Sequence, residues 1–195
     1  MISIVLVPWG LTEWGASGRL ATRTPLPLSR EGAQQAVQWA NELAGRELAA
    51  IYCGDEPTSR ETAALLAERA EVRPKPLAGL AEVDLGLWEG LTCAQVESRF
   101  PKIYRRWMED PAAVCPPDGE GLGPASERIN QALGRVARKH KGSTVAVVLG
   151  PIALAVARSH LERGGLGCMH QMKTDQPVWY RLDDGVYEPV QPAPG

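Results

Sequence analysis

Histidine and cysteine are the residues in this sequence best suited to nucleophilic or metal chemistry, and they are few. Histidine occurs at His140, His160 and His170. His160, Cys168 and His170 could together hold a metal ion, but their spacing matches no established ligand pattern and no fourth partner lies nearby. Cys53 could act as a thiolate, but nothing basic in the local sequence would lower its pKa. We therefore predict no metal site and no cofactor.

The turn after the first strand is a second candidate position for a functional site. Ile2–Val7 is an apolar run typical of a strand buried on both faces of a sheet. In α/β sheets, ligands bind outside the carboxyl ends of the strands, so the residues after Val7 occupy the position of a site. There the sequence has Pro8, Trp9 and Gly10, none of which is an acid, base or nucleophile.

Strand-like and helix-like segments alternate along most of the chain. This alternation predicts an α/β protein, a three-layer α/β/α sandwich with a mainly parallel central sheet. Ser29 is a plausible N-cap for a long helix that buries a stripe including Val37 and Ala40, and Thr92 and Gln95 have capping-box spacing. We expect strands near residues 2–7, 49–53, 72–77, 143–149 and 178–182, and helices near residues 30–44, 58–69, 92–100, 102–108, 124–139 and 151–162.

Composition and charge narrow the classes of partner. The chain has 195 residues, 44% of them hydrophobic and 23% charged, with a net charge of −2. These values are typical of one globular domain, here residues 1–195 with a frayed tail from about residue 189. They give no reason to expect binding to nucleic acid, and the short apolar run at the N-terminus is neither a signal peptide nor a membrane span. Four scattered cysteines fit a reducing cytoplasm.

The turn after the first strand resembles the opening of the histidine phosphatase superfamily, the phosphoglycerate-mutase-like proteins. Their first strand ends in Leu-Val-Arg-His-Gly-Glu-Thr-x-Trp, and the residues of this chain that match are Leu6, Val7, Gly10, Thr12 and Trp14. Leu80–Thr92 is similar to the family's Leu-x-Glu-x-x-x-Gly-x-Trp-Glu-Gly segment, and Pro117–Glu120 to its Pro-x-Gly-Glu-Ser loop. The resemblance covers residues 2–184 and implies a phosphoglycerate-mutase-like fold.

The phosphate-binding positions of that family carry different residues in this chain. In the family, a histidine is phosphorylated, arginines and a second histidine hold the phosphoryl group, and a carboxylic acid protonates the leaving oxygen. Glu82 matches the acid and alone keeps the family's residue type. The vestigial positions that differ are Pro8 for the first arginine, Trp9 for the nucleophilic histidine, Gly15 for an asparagine, Thr58 for the second arginine and Gly150 for the second histidine.

The resemblance and its departures lead to a catalytically inactive family member as the leading functional prediction. Such a protein would have a binding, regulatory or partner-subunit role toward an unknown protein or small ligand, and a homodimer is expected on general grounds. It would form no phosphohistidine, because the Trp9 indole has no basic lone pair, and would not hydrolyse phosphomonoesters above background. One alternative is a hydrolase or phosphatase with altered chemistry that uses Glu82, with Asp84 or Glu120, in a reshaped pocket. Another is a structural subunit of an assembly.

Trp9 itself leaves two interpretations open. It could plug the space that the missing arginines leave, and burial as the usual fate of tryptophan favours this interpretation. It could instead form an aromatic wall of a remodelled ligand pocket. The two interpretations differ in whether the pocket is filled or open.

Overall fold

A six-stranded sheet forms the centre of the computed structural model, which describes residues 1–167, 175–183 and 186–190. The strands are β1 (Ile2–Pro8), β2 (Leu48–Cys53), β3 (Pro74–Pro76), β4 (Thr144–Leu149), β5 (Val178–Asp183) and β6 (Val186–Val190). They lie in the order β3-β2-β4-β1-β5-β6. β1 pairs in parallel with β4 and antiparallel with β5, and β2 pairs in parallel with β3 and β4. The predicted mainly parallel sheet is confirmed, with β1 in its interior.

Two helices begin at the side-chain caps that the sequence predicts. Ser29 Oγ accepts a hydrogen bond from the Gly32 N–H at 3.0 Å, and Thr92 and Gln95 form a complete capping box. One short helix, the first, was not predicted. The helices are α1 (Glu13–Ala16), α2 (Arg30–Leu43), α3 (Pro57–Ala70), α4 (Cys93–Arg99), α5 (Pro101–Glu109), α6 (Leu122–Lys139) and α7 (Pro151–Leu161).

The two faces of the sheet are covered by different helices. Successive side chains on a strand point to opposite faces, so Ile4 and Leu6 of β1 pack with residues of α6 and α7, whereas Val5 and Val7 pack with residues of α2 and α3. This arrangement confirms the three-layer α/β/α fold. The predicted stripe of α2 was partly wrong, because Val37 is 41% exposed and the larger Trp39 is buried instead. Burying the larger side chain removes more apolar surface from water.

The carboxyl-terminal segment continues the sheet further than predicted. Pro189 of β6 lies opposite Tyr180 of β5, so the expected frayed tail does not begin at residue 189, and residues 191–195 lie outside the described residues. Within the described ranges, every helix is too short or too polar to cross a lipid bilayer. Cys53, Cys93 and Cys115 are free thiols. The cytoplasmic location and the homodimer stay predictions.

Candidate functional site

An open cavity of about 210 Å³ lies beside the carboxyl end of β1, and we call it the β1 cleft. Pro8 and Trp9 line it from the turn after β1, Gly15 from α1, and Pro151 from the first position of α7. This is the edge of the sheet where ligands bind in α/β folds. The predicted position of the site is therefore where the structure has a cavity.

Two glycines allow the turn after β1 to pack closely on α2. A Cβ atom on Gly10 would lie 2.4 Å from the Gly32 carbonyl oxygen, and one on Gly32 would lie 2.0 Å from the Leu11 carbonyl oxygen. No larger residue fits at either position without moving backbone. The Gly10 N–H also donates to Thr62 Oγ1 of α3 at 3.0 Å. The turn that carries Trp9 is thereby held by both helices of that layer.

Trp9 forms one wall of the cleft and also fills space beside α7. Its backbone N–H donates to the Leu149 carbonyl at 2.9 Å, which extends the pairing of β1 with β4. A Cβ atom on Gly150 would lie 2.9 Å from Trp9 Cη2, so the indole packs against the glycine that begins α7. The plug interpretation was therefore incomplete, because the indole closes the space next to Gly150 and leaves the cleft open.

Glu82 is fully buried at the amino-terminal end of α7. Its Oε1 accepts hydrogen bonds from the N–H groups of Val83 at 2.5 Å and Ala153 at 2.7 Å, and its Oε2 accepts one from the Ile152 N–H at 2.9 Å. The free N–H groups of a helix start favour an anion there. Burial outweighs them and, with the nearby charge of Glu56, raises the pKa of Glu82 to about 8.

Gly150 provides the room that Glu82 occupies. A Cβ atom at this position would lie 2.3 Å from Glu82 Oε2. The carboxyl group, the indole of Trp9 and Gly150 therefore meet at one point. Glu82 itself is not among the described residues that line the β1 cleft.

Glu56, a carboxylate that the sequence analysis did not single out, lies next to Glu82. Its side chain is 5% exposed and accepts a hydrogen bond from the Glu82 backbone N–H. Its second carboxylate oxygen is buried and has no hydrogen-bond partner among the described residues. An acidic residue just before Pro57 is typical of a helix start. The local sequence therefore explains Glu56 without indicating that it lies next to Glu82.

Asp84 and Glu120, the partners predicted for Glu82 in the altered-chemistry alternative, form hydrogen bonds to other groups, and neither is among the described residues that line the β1 cleft. Asp84 Oδ1 accepts from the Gly86 N–H at 2.8 Å. Glu120 forms a bidentate ion pair with Arg128, with contacts of 2.7 and 2.6 Å. The same guanidinium donates to the Ala81 carbonyl at 2.6 Å and the Glu82 carbonyl at 3.2 Å. Glu120 therefore orients Arg128, which in turn holds the backbone that carries Glu82.

Thr58, at the position of the family's second arginine, is part of the scaffold. It is 2% exposed, and its Oγ1 donates to the Leu26 carbonyl at 2.6 Å. Arg60 does not replace the missing cation, because its Nε donates to the Asp55 carbonyl at 2.9 Å and it is not among the described residues that line the cleft.

Arg19 lines the β1 cleft and was not predicted to do so. It is the one cationic side chain among the described lining residues, and its Nη1 donates to the Gly90 carbonyl at 2.8 Å. Gln35 and Trp39 of α2 and Asp175 complete this wall. Arg19 lies in a loop without hydrophobic periodicity, and Trp39 has the sequence pattern of a core residue. The local sequence around these residues therefore does not predict a functional site.

Comparisons with known proteins identify the family. A family model described as histidine phosphatase superfamily (branch 1) matches residues 4–188. This chain belongs to that superfamily. Phosphoserine phosphatase 1 of Hydrogenobacter thermophilus is 31% identical over 148 residues, which cover 76% of this chain and 70% of that protein. The metal-independent phosphoserine phosphatase of Arabidopsis thaliana is 32% identical over 150 residues, 74% of this chain and 62% of that protein.

The solved structures give the same fold. YhfR of Bacillus stearothermophilus superposes with a TM-score of 0.90 at 23% identity, over 97% of this chain and 96% of that one. A likeness at this identity shows the fold alone. Some curated relatives are much longer, and the chain spans 47% of the length of one from Mycobacterium tuberculosis.

The names of these relatives contradict the leading functional prediction. The prediction was a catalytically inactive member of the histidine phosphatase superfamily, whereas relatives at 31% and 32% identity are named phosphatases. This chain still has Trp9 and Gly150 where the resemblance implies the two histidines of the family. The error lay in inferring a missing activity from missing family residues, because one fold can carry differently built sites.

The loop that carries Arg19 is held by residues 80–92, the segment that resembles the superfamily's. Glu89 accepts hydrogen bonds from the N–H groups of Thr22 at 3.0 Å and Thr24 at 2.9 Å. Burial opposes ionisation of Glu89, but these bonds outweigh it and lower its pKa. Trp14 packs its ring on Gly90, where a Cβ atom would lie 3.0 Å from Trp14 Cη2. The segment thus positions the cleft wall.

The histidines and cysteines lie away from the β1 cleft or outside the described residues. His140 Nε2 lies 2.9 Å from Tyr52 Oη, and His160 is exposed on α7. Cys168 and His170 lie outside the described residues. No group of three metal-ligating side chains occurs in the part of the chain that the structure describes. Burial raises the pKa of Cys53 to about 11, so this thiol is neutral at physiological pH.

Proposed function

We propose that this superfamily member hydrolyses small phosphomonoesters without a phosphohistidine, with Glu82 as the residue that transfers the proton. The observation that carries the proposal is the buried Glu82 carboxyl, whose pKa of about 8 leaves it mostly protonated at neutral pH. A neutral carboxyl can protonate a leaving oxygen. The names of the phosphoserine phosphatases support the reaction class.

The proposed reaction is a direct attack by water. The water oxygen forms a bond to phosphorus as the bond from phosphorus to the leaving oxygen breaks. Glu82 gives its proton to the leaving oxygen, so the product is a neutral alcohol. The dihydrogen phosphate that results from water attack returns a proton to Glu82, and hydrogen phosphate leaves. No covalent intermediate on the protein is needed.

Access to Glu82 depends on Trp9 in this proposal. The carboxyl is fully buried, whereas the indole that meets it at Gly150 is partly exposed and lines the cleft. A change of the Trp9 rotamer is therefore the step that brings substrate and carboxyl together.

The remaining features of the cleft favour a small, charged substrate. A cavity of about 210 Å³ is smaller than the pockets that hold drug-sized ligands, so it favours a small metabolite. Arg19, fixed by its bond to the Gly90 carbonyl, can still direct other N–H groups at a phosphate. Asp175 places a negative charge on the same wall and suits a substrate that also carries an ammonium group. Phosphorylated amino acids meet all three conditions.

The test is release of phosphate from phosphoserine and from p-nitrophenyl phosphate. Glu82→Gln should lower kcat/KM about 100-fold or more, the usual contribution of a general acid. Glu109→Gln removes an exposed carboxylate at the end of α5 and should change kcat/KM less than twofold. Equal rates for the wild-type protein and Glu82→Gln, or no release above the buffer rate, would refute the proposal.

A further inference from the structure

A second cavity, of about 600 Å³, lies between α6 and the chain that follows β3, and we call it the α6 cavity. It shares no described lining residue with the β1 cleft. Its wall is largely apolar, with Tyr52, Leu77, Ala132 and Val136 among the lining residues. The volume lies in the range of pockets that bind small molecules.

Two cations of α6 border this cavity and have no partner within the described chain. Arg135 and Lys139 are one helical turn apart, so they lie on the same face of α6, and both are exposed. Neither forms a salt bridge or a side-chain hydrogen bond with any described residue. Arg128 also lines the cavity but is paired with Glu120. No carboxylate is among the described lining residues.

A third cation, Lys75, lies beside Tyr52, one of the residues that line the cavity. Lys75 Nζ lies 5.7 Å from the centre of the Tyr52 ring, and the Tyr52 hydroxyl contacts His140. Burial lowers the pKa of His140, and the charges of Lys75 and Lys139 lower it further. Lys75 and Lys139 therefore both lie near His140, and with Arg135 they favour an anion on this side of the cavity.

The strand beside the cavity is poorly suited to pairing with another chain. β3 is three residues long, and two of them, Pro74 and Pro76, have no backbone N–H to donate. Proline at a sheet edge disfavours addition of a strand. A small ligand therefore fits this region better than a strand from a second copy.

We propose that the α6 cavity binds a small amphipathic anion. Its apolar body occupies the cavity, and its carboxylate, phosphate or sulfonate group is held at the opening by Arg135, Lys139 and Lys75. Removal of apolar surface from water favours the body, and charge-assisted hydrogen bonds favour the anionic group. The site is independent of the β1 cleft and of the function proposed for it.

The first test is a fluorescence titration with anilinonaphthalene sulfonate, which combines an aromatic body with a sulfonate. The double variant Arg135→Gln/Lys139→Gln should bind the probe about tenfold more weakly or worse, because each lost charge-assisted hydrogen bond costs a severalfold loss of affinity. Arg138→Gln/Lys141→Gln removes the same charge from the end of α6 and the turn after it, where these residues line a different cavity. This control should change the affinity less than twofold, and octanoate should displace the probe at concentrations where acetate does not.

A second variant tests the volume of the cavity. Gln131 is exposed and lines the cavity, so Gln131→Trp fills it without altering the core and should abolish probe binding. Near-ultraviolet circular dichroism checks that each variant stays folded. Equal loss in both double variants, unchanged binding in Arg135→Gln/Lys139→Gln, or absence of probe binding would overturn the proposal. A wild-type dimer in sedimentation that Arg135→Gln/Lys139→Gln dissociates would overturn it too, in favour of a second copy covering the cavity.

Discussion

Glu82 shows how one buried side chain links stability to pH. Burial raises its pKa to about 8 from an ordinary value of 4.5, so the folded protein holds this proton at pH values where the unfolded chain has released it. The folded state therefore binds more protons than the unfolded state between those two values. Through that range, the contribution of Glu82 to the free energy of unfolding falls as pH rises.

We expect this effect to be visible in the difference between the wild-type protein and Glu82→Gln. Glutamine does not titrate, so the wild-type protein should lose stability relative to the variant as the pH rises from about 5 to about 8.5. Urea unfolding of both proteins at several pH values measures the difference, and other titrating groups cancel in it. A difference that is constant with pH would show that Glu82 is ionised in the folded protein.

Trp9, at the position of the family's nucleophilic histidine, leads to a prediction about a covalent intermediate. We expect no acid-labile phosphohistidine on the wild-type protein, and none above background on Trp9→His, after incubation with labelled phosphoserine. One imidazole is insufficient because Pro8 and Thr58 supply no cation to hold the phosphoryl group. Mass spectrometry under mild alkaline conditions detects the adduct. A phosphorylated histidine at position 9 in the variant would show that Pro8 and Thr58 do not prevent phosphoryl transfer.

Gly150 is a residue at which a single methyl group should disturb both Glu82 and Trp9. In Gly150→Ala the new Cβ would lie 2.3 Å from Glu82 Oε2 and 2.9 Å from Trp9 Cη2, so both side chains must move. We expect a loss of about 1–3 kcal/mol in the free energy of unfolding, typical of overpacking. Gly123→Ala, in the first turn of α6 with open space around it, is the control and should be neutral or stabilising. Urea unfolding distinguishes the two variants.

At the scale of elements, α6 positions the start of the family-like segment, residues 80–92, through Arg128. Its guanidinium bonds to Glu120 and to the carbonyls of Ala81 and Glu82, so it ties a helix, a loop and the turn carrying Glu82 together. Arg128→Ala leaves these acceptors and the partly buried Glu120 unpaired. The loss should be about 2–4 kcal/mol in the free energy of unfolding.

A matched variant separates this role from a general loss of charge. Arg105→Ala removes an exposed arginine on α5 and should cost less than about 0.5 kcal/mol. Chemical denaturation of both variants provides the comparison. If Arg128→Ala were as stable as Arg105→Ala, the segment around Glu82 would be held by its contacts with α7 alone.

At the scale of the whole molecule, both apolar cores share one sheet. β1, β2 and β4 contribute side chains to both faces, so neither core can be lost without the strands that support the other. We expect unfolding in urea to be a single transition, with coincident curves from tryptophan fluorescence and far-ultraviolet circular dichroism. Trp39 reports one core, and Trp88 and Trp107 the other. A fluorescence change that precedes the loss of helix would show that the cores separate.

Local patterns in the sequence determined most of the secondary structure and the fold. Caps such as Ser29 and Thr92 form hydrogen bonds with residues three positions away, and apolar runs such as Ile2–Val7 indicate a buried strand. The resemblance located the turn after β1 and the places where family residues are replaced. These signals are short-range in the chain, so they can be read without knowing what packs against them.

The surroundings of each site residue were decided only by the tertiary structure. Glu56 lies beside Glu82 although 26 residues separate them, and Arg19 reaches the Gly90 carbonyl across 71 positions. The Glu82 pKa of about 8 follows from burial and from the nearby Glu56 charge, and the exposure of Val37 follows from competition with Trp39. Burial and charge depend on every group within a few ångströms, and most of those groups come from distant parts of the chain.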